Sequence, residues 1–303
     1  MEEIHNRSLI TVLVITAILA GCFLFFNFKE ESRLKNIEIA EKEFLGNIKK
    51  EIESLDLKAK AISVYDVNKN KVVYGKNDGS PIPIASLSKT MTLITILPNI
   101  NPEDVTSLSS LAISQNGDFG LYKMEKWKIK DLAEYAFMVS ANDGIYALAE
   151  YWEEKEQKDL IEKMNEKAQR IGMKNASFFN FTGLDFEKDG ELKAGALASA
   201  LDVNLMSVHA YKVSPDIFES SVLAEKNFKS ISGFEHFAKN TNVLIPQKEF
   251  LFSKTGNTTL AGGNLAVILK TKNENIFAIS ILGSTTSGRF ADMEKIVDVL
   301  IDY

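Results

Sequence analysis

The distribution of apolar and polar positions divides the chain into stretches of different character. From Leu9 to Phe26 (LITVLVITAILAGCFLFF) nearly every residue is apolar, and no charge follows until Lys29. About 18 to 20 such residues cross the hydrocarbon core of a bilayer. Residues 29–56 are dense in charge and free of proline, with Leu34, Ile37, Phe44, Ile48 and Leu55 at helical or heptad-like steps. This predicts a solvated helical stalk. The alternative is a short coiled-coil dimer, in whose seam Glu41 and Glu51 would fall. Beyond residue 57, Ala59 to Asp66 and Lys71 to Tyr74 are rich in β-branched and aromatic residues and flank a Val-Asn-Lys-Asn turn, which predicts a β-hairpin. A helix is expected to begin near Ser86. Helical patterns dominate from there to about Arg170, most clearly over Ile129 to Met138 and Asp143 to Trp152. After Lys254 the β pattern returns in Gly263 to Lys270 and Ile276 to Leu282, around an Asn-Glu-Asn turn, and a last helix is expected over Phe290 to Ile301. Strands at both ends of a helical middle predict an α+β domain, its antiparallel sheet built from N- and C-terminal strands. The expected divisions are 1–28 as membrane anchor or signal segment, 29–56 as stalk and 57–303 as one globular domain.

Composition narrows the function. The chain has 303 residues, 45% hydrophobic and 25% charged, which is ample for a packed core. A net charge of −6 argues against nucleic-acid binding, which normally needs a basic face. Cys22 is the only cysteine, so neither an intrachain disulfide nor a cysteine-based zinc site is open to the chain. With only His5, His209 and His236 the chain is also poor in the usual general base. No metal or cofactor is expected.

The first 28 residues allow more than one reading. Leu19-Ala20-Gly21-Cys22 resembles a bacterial lipobox, in which cleavage leaves the cysteine lipidated. The Phe-Leu-Phe-Phe that follows suits a retained membrane helix over 9–28 better, and a buried soluble helix is a third possibility. Only Arg7 precedes the span, whereas Lys29, Arg33 and Lys35 follow it, so a positive-inside count places the body in the cytoplasm.

Three short segments suggest chemistry. In Ala85-Ser86-Leu87-Ser88-Lys89, a helix starting at Ser86 puts Lys89 one turn on, over the serine hydroxyl, with Ser88 on another side. A serine is a poor nucleophile until a neighbouring base takes its proton, and lysine serves when burial or another cation lowers its pKa. Alone, the same four residues read as a helix cap followed by a surface lysine. Ser140-Ala141-Asn142, followed by Asp143, lies between two helical patterns and alone reads as an N-cap. Lys254-Thr255-Gly256 stands just before a run of small residues and a strand. Its glycine admits another backbone or a ligand, and its lysine can hold an anion.

In this order, Ser-x-x-Lys, Ser-x-Asn and Lys-Thr-Gly match the signature set of penicillin-recognising serine enzymes. From about 57 to 301 the chain resembles the serine D-Ala-D-Ala carboxypeptidases, the low-molecular-mass penicillin-binding proteins. The likeness extends over PIASLSKTMT, MVSANDGIYALAE, IGMKNASFFNFTGLD with its Gly183-Leu184-Asp185, SKTGNTTLAGGNLA and ILGSTTSGRFADM with Arg289. The resemblance implies a serine carboxypeptidase that removes the terminal D-alanine of peptidoglycan stem peptides through an acyl-enzyme on Ser86. Lys89 would be its base. Ser140 and Asn142 would relay protons and bind the peptide, and Lys254 would keep the site electropositive and so lower the pKa of Lys89. Lys254 and Thr255 would face the terminal carboxylate beside Gly256, with Arg289 attracting it. The N–H groups of Ser86 and Asn257 would form the oxyanion hole. β-Lactams would be inhibitors, and the mechanism needs no histidine.

Two departures stand out. Asn180-Phe181-Thr182 occupies the place where the family commonly has Asn-Pro-His, a change expected to alter packing and not chemistry. Many relatives carry a second β-rich domain and a C-terminal membrane helix, whereas here the anchor is expected at the N-terminus, with the catalytic domain outside the cell membrane. That location opposes the flanking-charge count. A class A β-lactamase shares the motifs but needs a Glu-x-x-Leu-Asn setting, which is absent between Asn142 and Lys254. A catalytically idle wall-binding protein of the same fold is the remaining alternative, and an endopeptidase acting on cross-links would share every motif.

Overall fold

The computed structural model describes residues 21, 23–37, 39–245 and 247–303 in full, and residues 2–20, 22 and 38 as helical backbone alone. The chain divides into two compact units, Met1–Glu51 and Ile52–Tyr303. The first is almost entirely helix α1 (Glu2–Glu53), on which Phe23, Leu24, Phe25, Phe26 and Phe28 are exposed. The expected membrane segment lies largely outside the fully described residues. Among the described residues no helix is long and apolar enough to cross a membrane.

The second unit is built on a five-stranded antiparallel sheet. Its strands are β1 (Ala61–Asp66), β2 (Lys71–Lys76), β5 (Phe250–Thr258), β6 (Gly262–Lys270) and β7 (Ile276–Ser284), in the spatial order β5-β6-β7-β1-β2. β1 lies in the middle because it pairs with β2 on one side and with β7 on the other, from Ala61↔Leu282 to Asp66↔Phe277. Both hairpins and the α+β class therefore follow the sequence pattern. Every residue of β1 is buried, as a strand covered on both faces must be. On one face, Ala266, Ile268, Ala278 and Leu282 join a single core with the helical middle. That middle comprises α2 (Lys89–Ile96), α3 (Ile129–Val139), α4 (Asn142–Glu156), α5 (Leu160–Arg170) and α6 (Ala200–Val213). On the other face lies α7 (Gly288–Leu300), with Met293, Ile296, Val297 and Leu300 buried.

Two buried polar clasps fix these layers. The amide of Asn204 on α6 donates to the Ser63 carbonyl at 3.0 Å and accepts from Ser280 Oγ at 2.6 Å, joining two strands to the helix. On the opposite side the carboxylate of Asp292 on α7 accepts from the N–H groups of Lys58 and Ala59 at 3.0 and 2.9 Å, and from Ser284 Oγ at 3.0 Å. Satisfied buried groups of this kind specify a register that apolar packing alone leaves free.

The helical expectation fails between α2 and α3. There the chain forms loops with one small strand pair, Val105–Ser107 with Lys126–Lys128, and a single-turn helix, Ser110–Ile113. Pro98, Pro102, Gly117 and Gly120 interrupt what would otherwise read as helical spacing. A further hairpin, β3 (Glu225–Lys229) with β4 (Glu235–Lys239), was not expected. It is held to the 122–127 loop by a buried contact of 2.7 Å between His236 Nε2 and Glu125 Oε1, and by Ile231 N–H donating to the Lys126 carbonyl at 2.9 Å.

Candidate active site

Ser86 and Lys89 do not open one α-helix. Ala85–Ser88 is a 3₁₀ turn, and α2 begins only at Lys89. In a 3₁₀ turn, residues i and i+3 eclipse. This brings Lys89 Nζ to 2.6 Å from Ser86 Oγ. Ala85 enters the turn in the left-handed region, at φ +50°, an uncommon backbone for a residue with a Cβ. Strain of this kind persists only where the surroundings hold it, and it tends to cluster at functional sites.

The hold comes from two glycines. At Gly183, φ +75°, an added Cβ would lie 2.1 Å from the Ala85 carbonyl oxygen. At Gly256 it would lie 2.8 Å from the Ile84 carbonyl oxygen and 3.2 Å from the Ser86 nitrogen. Neither site has room for a side chain, so the 180–185 loop and β5 both pack directly against the serine turn. Asn180 shapes that loop, its Oδ1 accepting from the N–H groups of Thr182 and Gly183 and its Nδ2 donating to the Leu184 carbonyl. Asp185 then accepts from Thr258 Oγ1 and Leu260 N–H, tying the loop to the end of β5.

Lys89 is fully buried. Besides Ser86, its ammonium nitrogen contacts Asn142 Oδ1 at 2.7 Å and the Thr182 carbonyl at 3.1 Å. Burial brings its pKa from 10.5 down to about 7, against an opposing pull from the nearby charge of Asp143. Desolvation of the amine is the main cause of this shift, and Lys254, expected to lower it, is a neighbouring cation whose own pKa Lys89 lowers. Burial of Asp143 in turn raises its carboxyl to about 6.

Ser140 is the C-cap of α3, not an N-cap, and sits in the left-handed region at φ +63°. The reversal between α3 and α4 turns its hydroxyl to Lys254, whose Nζ lies 2.8 Å from Oγ and 5.4 Å from the centre of the Phe137 ring. Asn142 starts α4, and its two amide atoms are both engaged. Nδ2 donates to the Asn116 carbonyl at 2.6 Å, which leaves Oδ1 facing Lys89.

Lys254, Thr255 and Gly256 lie within β5 itself, not ahead of it. Lys254 is buried, and its pKa falls well below the ordinary value through desolvation first and then the neighbouring Lys89 and Arg289. Arg289, on α7, donates from Nη1 to the Gly256 carbonyl at 2.7 Å. Asn257 Oδ1 accepts from Thr286 Oγ1 at 2.9 Å. Ser88 Oγ is buried without a hydrogen-bond partner among the described residues.

Thus Ser86, Lys89, Ser140, Asn142 and Lys254 converge on one place, and Thr255, Gly256, Asn257 and Arg289 line or brace the strand beside it. The sequence pattern missed Asn116 and Thr182, which act through backbone carbonyls that no side-chain motif records. The departure at Thr182 leaves that contact in place, because Lys89 uses its carbonyl. Among the described residues no group of three or more His, Cys, Asp or Glu side chains could hold a metal.

A family model described as D-alanyl-D-alanine carboxypeptidase (peptidase S11) matches residues 48–286. The chain is 29% identical to the D-alanyl-D-alanine carboxypeptidase DacF of Bacillus subtilis, over 79% of this chain and 61% of that one. It therefore spans about three-fifths of that relative's length. It is also 29% identical to a D-alanyl-D-alanine endopeptidase of Pseudomonas aeruginosa, over 77% of this chain and 74% of the other. Among solved structures, penicillin-binding protein D2 of Listeria monocytogenes in its ampicillin-bound form shares the fold, with a TM-score of 0.65 at 24% identity, over 81% and 98% of the two chains.

Proposed function

Because the chain belongs to the D-alanyl-D-alanine carboxypeptidase family (peptidase S11), we propose that it is a serine carboxypeptidase acting on peptidoglycan stem peptides that end in D-Ala-D-Ala. The observation that carries this reading is the 2.6 Å contact between Ser86 Oγ and the buried amine of Lys89, whose pKa of about 7 leaves a substantial neutral fraction at neutral pH. A hydroxyl so placed is activated without histidine. Ser86 Oγ attacks the carbonyl carbon of the penultimate D-alanine while Lys89 takes its proton. The N–H groups of Ser86 and Asn257 hold the oxyanion, the largest electrostatic contribution in most acyl transfers. As the C–N bond breaks, the proton passes from Lys89 through Ser140 to the leaving amine, and D-alanine departs. Water then attacks the acyl-Ser86 ester, its proton passing by way of Lys89 to the departing Oγ. Lys254 and Thr255 face the terminal carboxylate, and Arg289 attracts it and braces β5 from behind.

β-Lactams, which carry a strained amide and a nearby carboxylate, are taken as inhibitors at the same serine. The ampicillin-bound relative supports this. The family likeness to an endopeptidase supports a second reading, in which the amide cleaved joins two stem peptides. The test is release of free D-alanine from a peptide ending in D-Ala-D-Ala by the full chain, with Ser86→Ala as control. No release by the wild type, or equal release by the variant, overturns the reading. Release of a whole stem peptide from a cross-linked dimer, without free D-alanine, selects the endopeptidase. Prompt turnover of nitrocefin would select a β-lactamase.

We also propose that residues 9–28 anchor the chain in the membrane with the catalytic unit outside the cell. The apolar run and the exposed Phe23, Phe25, Phe26 and Phe28 support an anchor, and a substrate in the wall supports the outward orientation. An alkaline-phosphatase fusion after Asp56 should be active. An inactive fusion places the domain in the cytoplasm, away from that substrate, and mass spectrometry of the N-terminus would reveal lipidation at Cys22.

A further inference from the structure

Thr241 has no assigned part in this chemistry, yet its Oγ1 lies 2.6 Å from Oγ1 of Thr255. Its position is not casual. Asn240 donates from Nδ2 to the carbonyls of Ser221 and Leu223, each at 2.9 Å, and Asn242 donates from Nδ2 to Ser253 Oγ at 2.8 Å. These two asparagines pin the segment on either side of Thr241 and hold it along β5. Ser253 and Thr255, two residues apart on β5, project from the same face of the strand.

Each threonine hydroxyl carries one proton, and the contact between them uses one of the two. If Thr255 donated to Thr241, only its lone pairs would remain for a bound carboxylate, which would repel it. If Thr241 donates, the Thr255 proton is free to point at the anion, and accepting one hydrogen bond strengthens the donation of the other. We propose that Thr241 is a positioning residue for substrate specificity. It donates to Thr255 and so orients the Thr255 hydroxyl toward the free carboxylate at the C-terminus of the substrate. This rests on the carboxypeptidase reading above, in which Thr255 faces that carboxylate.

The test compares the full chain acting on an N-acylated peptide ending in D-Ala-D-Ala with the same peptide ending in a C-terminal carboxamide. In Thr241→Val, which removes the donor at nearly constant volume, the ratio of kcat/KM for acid over amide should fall by about tenfold, chiefly through KM. Thr241→Ser, which keeps the hydroxyl, should restore the ratio to within about twofold. The ratio does not depend on the fraction of enzyme that is folded, so a destabilised variant still reports. Equal losses on acid and amide would make the role merely structural and overturn the proposal, as would an unchanged ratio. A wild type that cleaves neither peptide overturns the carboxypeptidase reading, and this proposal with it. A wild type that cleaves the acid while Thr241→Val keeps its preference overturns the proposal alone.

Discussion

Gly183 and Ala85 meet backbone to backbone beneath the nucleophile, both in the left-handed region, with φ of +75° and +50°. A Cβ on Gly183 would stand 2.1 Å from the Ala85 carbonyl oxygen and 2.4 Å from Ser88 Oγ. No side-chain rotation relieves a clash with backbone, so the serine turn and the 180–185 loop form one rigid piece.

Gly183→Ala is accordingly expected to lower stability by more than about 1 kcal/mol, because alanine resists positive φ and the carbonyl cannot yield. Ser86 labelling by a fluorescent penicillin should fall even at temperatures where the variant remains folded. Gly79→Ala, where an added Cβ meets nothing within 4 Å, should leave both unchanged. Normal labelling of Gly183→Ala would show that the turn does not depend on this contact.

The pH dependence should carry the signature of Lys89. Its amine is the base when neutral, and burial holds its pKa at about 7. Below that value kcat/KM for D-alanine release should rise about tenfold per pH unit, and above it the profile should flatten. Asp143 pulls the lysine's pKa upward, so in Asp143→Asn the rising limb should move to lower pH. A limb that stays in place would remove Asp143 from the electrostatics of the site. The same shift links to stability. Between about 7 and 10.5 the unfolded chain binds more protons at this residue than the folded one does, so the cost of burying Lys89 is relieved as pH rises through that window.

Ser86→Ala should abolish covalent labelling by penicillin without loss of fold. Lys89→Ala should slow acylation by about 10²- to 10⁴-fold, the usual span for a positioned base. Stopped-flow acylation rates check this, and a loss of under tenfold would point to another base.

The pair of His236 and Glu125, 2.7 Å apart and buried, fastens the hairpin of β3 and β4 to the 122–127 loop. Removing one partner leaves the other buried alone. Glu125→Ala is therefore expected to cost about 1–3 kcal/mol, the penalty of a buried polar group left unpaired, measured as a shift in the urea midpoint. The double variant with His236→Ala should cost less than the two single losses added together.

Much of this arrangement was legible in the sequence, and for identifiable reasons. The hairpins of β1–β2 and β6–β7 carry dense β-branched patterns around polar turns, and the three motifs name their side chains outright. What stayed hidden works through backbone or register. The 3₁₀ geometry of Ala85–Ser88 is not encoded in the spacing of Ser86 and Lys89, which suits an α-turn equally well. The β3–β4 hairpin (EKNFK and EHFAK) is so rich in lysine and glutamate that its alternation carries little apolar signal. The contributions of Asn116 and Thr182 are carbonyl groups, which any residue could supply.

The placement of β1 between β2 and β7 also bears on the order of assembly. Ala61 faces Leu282, and Asp66 faces Phe277, across more than 200 residues of intervening chain. Such remote pairings are slow to nucleate, because a long loop must close before any contact rewards it. The serine turn is made early in synthesis, but β5, which forms its other wall, and β7, which completes the sheet, come late. A nascent chain therefore holds the nucleophile for most of its elongation without the pocket that arms it. Reactivity arrives only when the last strand docks.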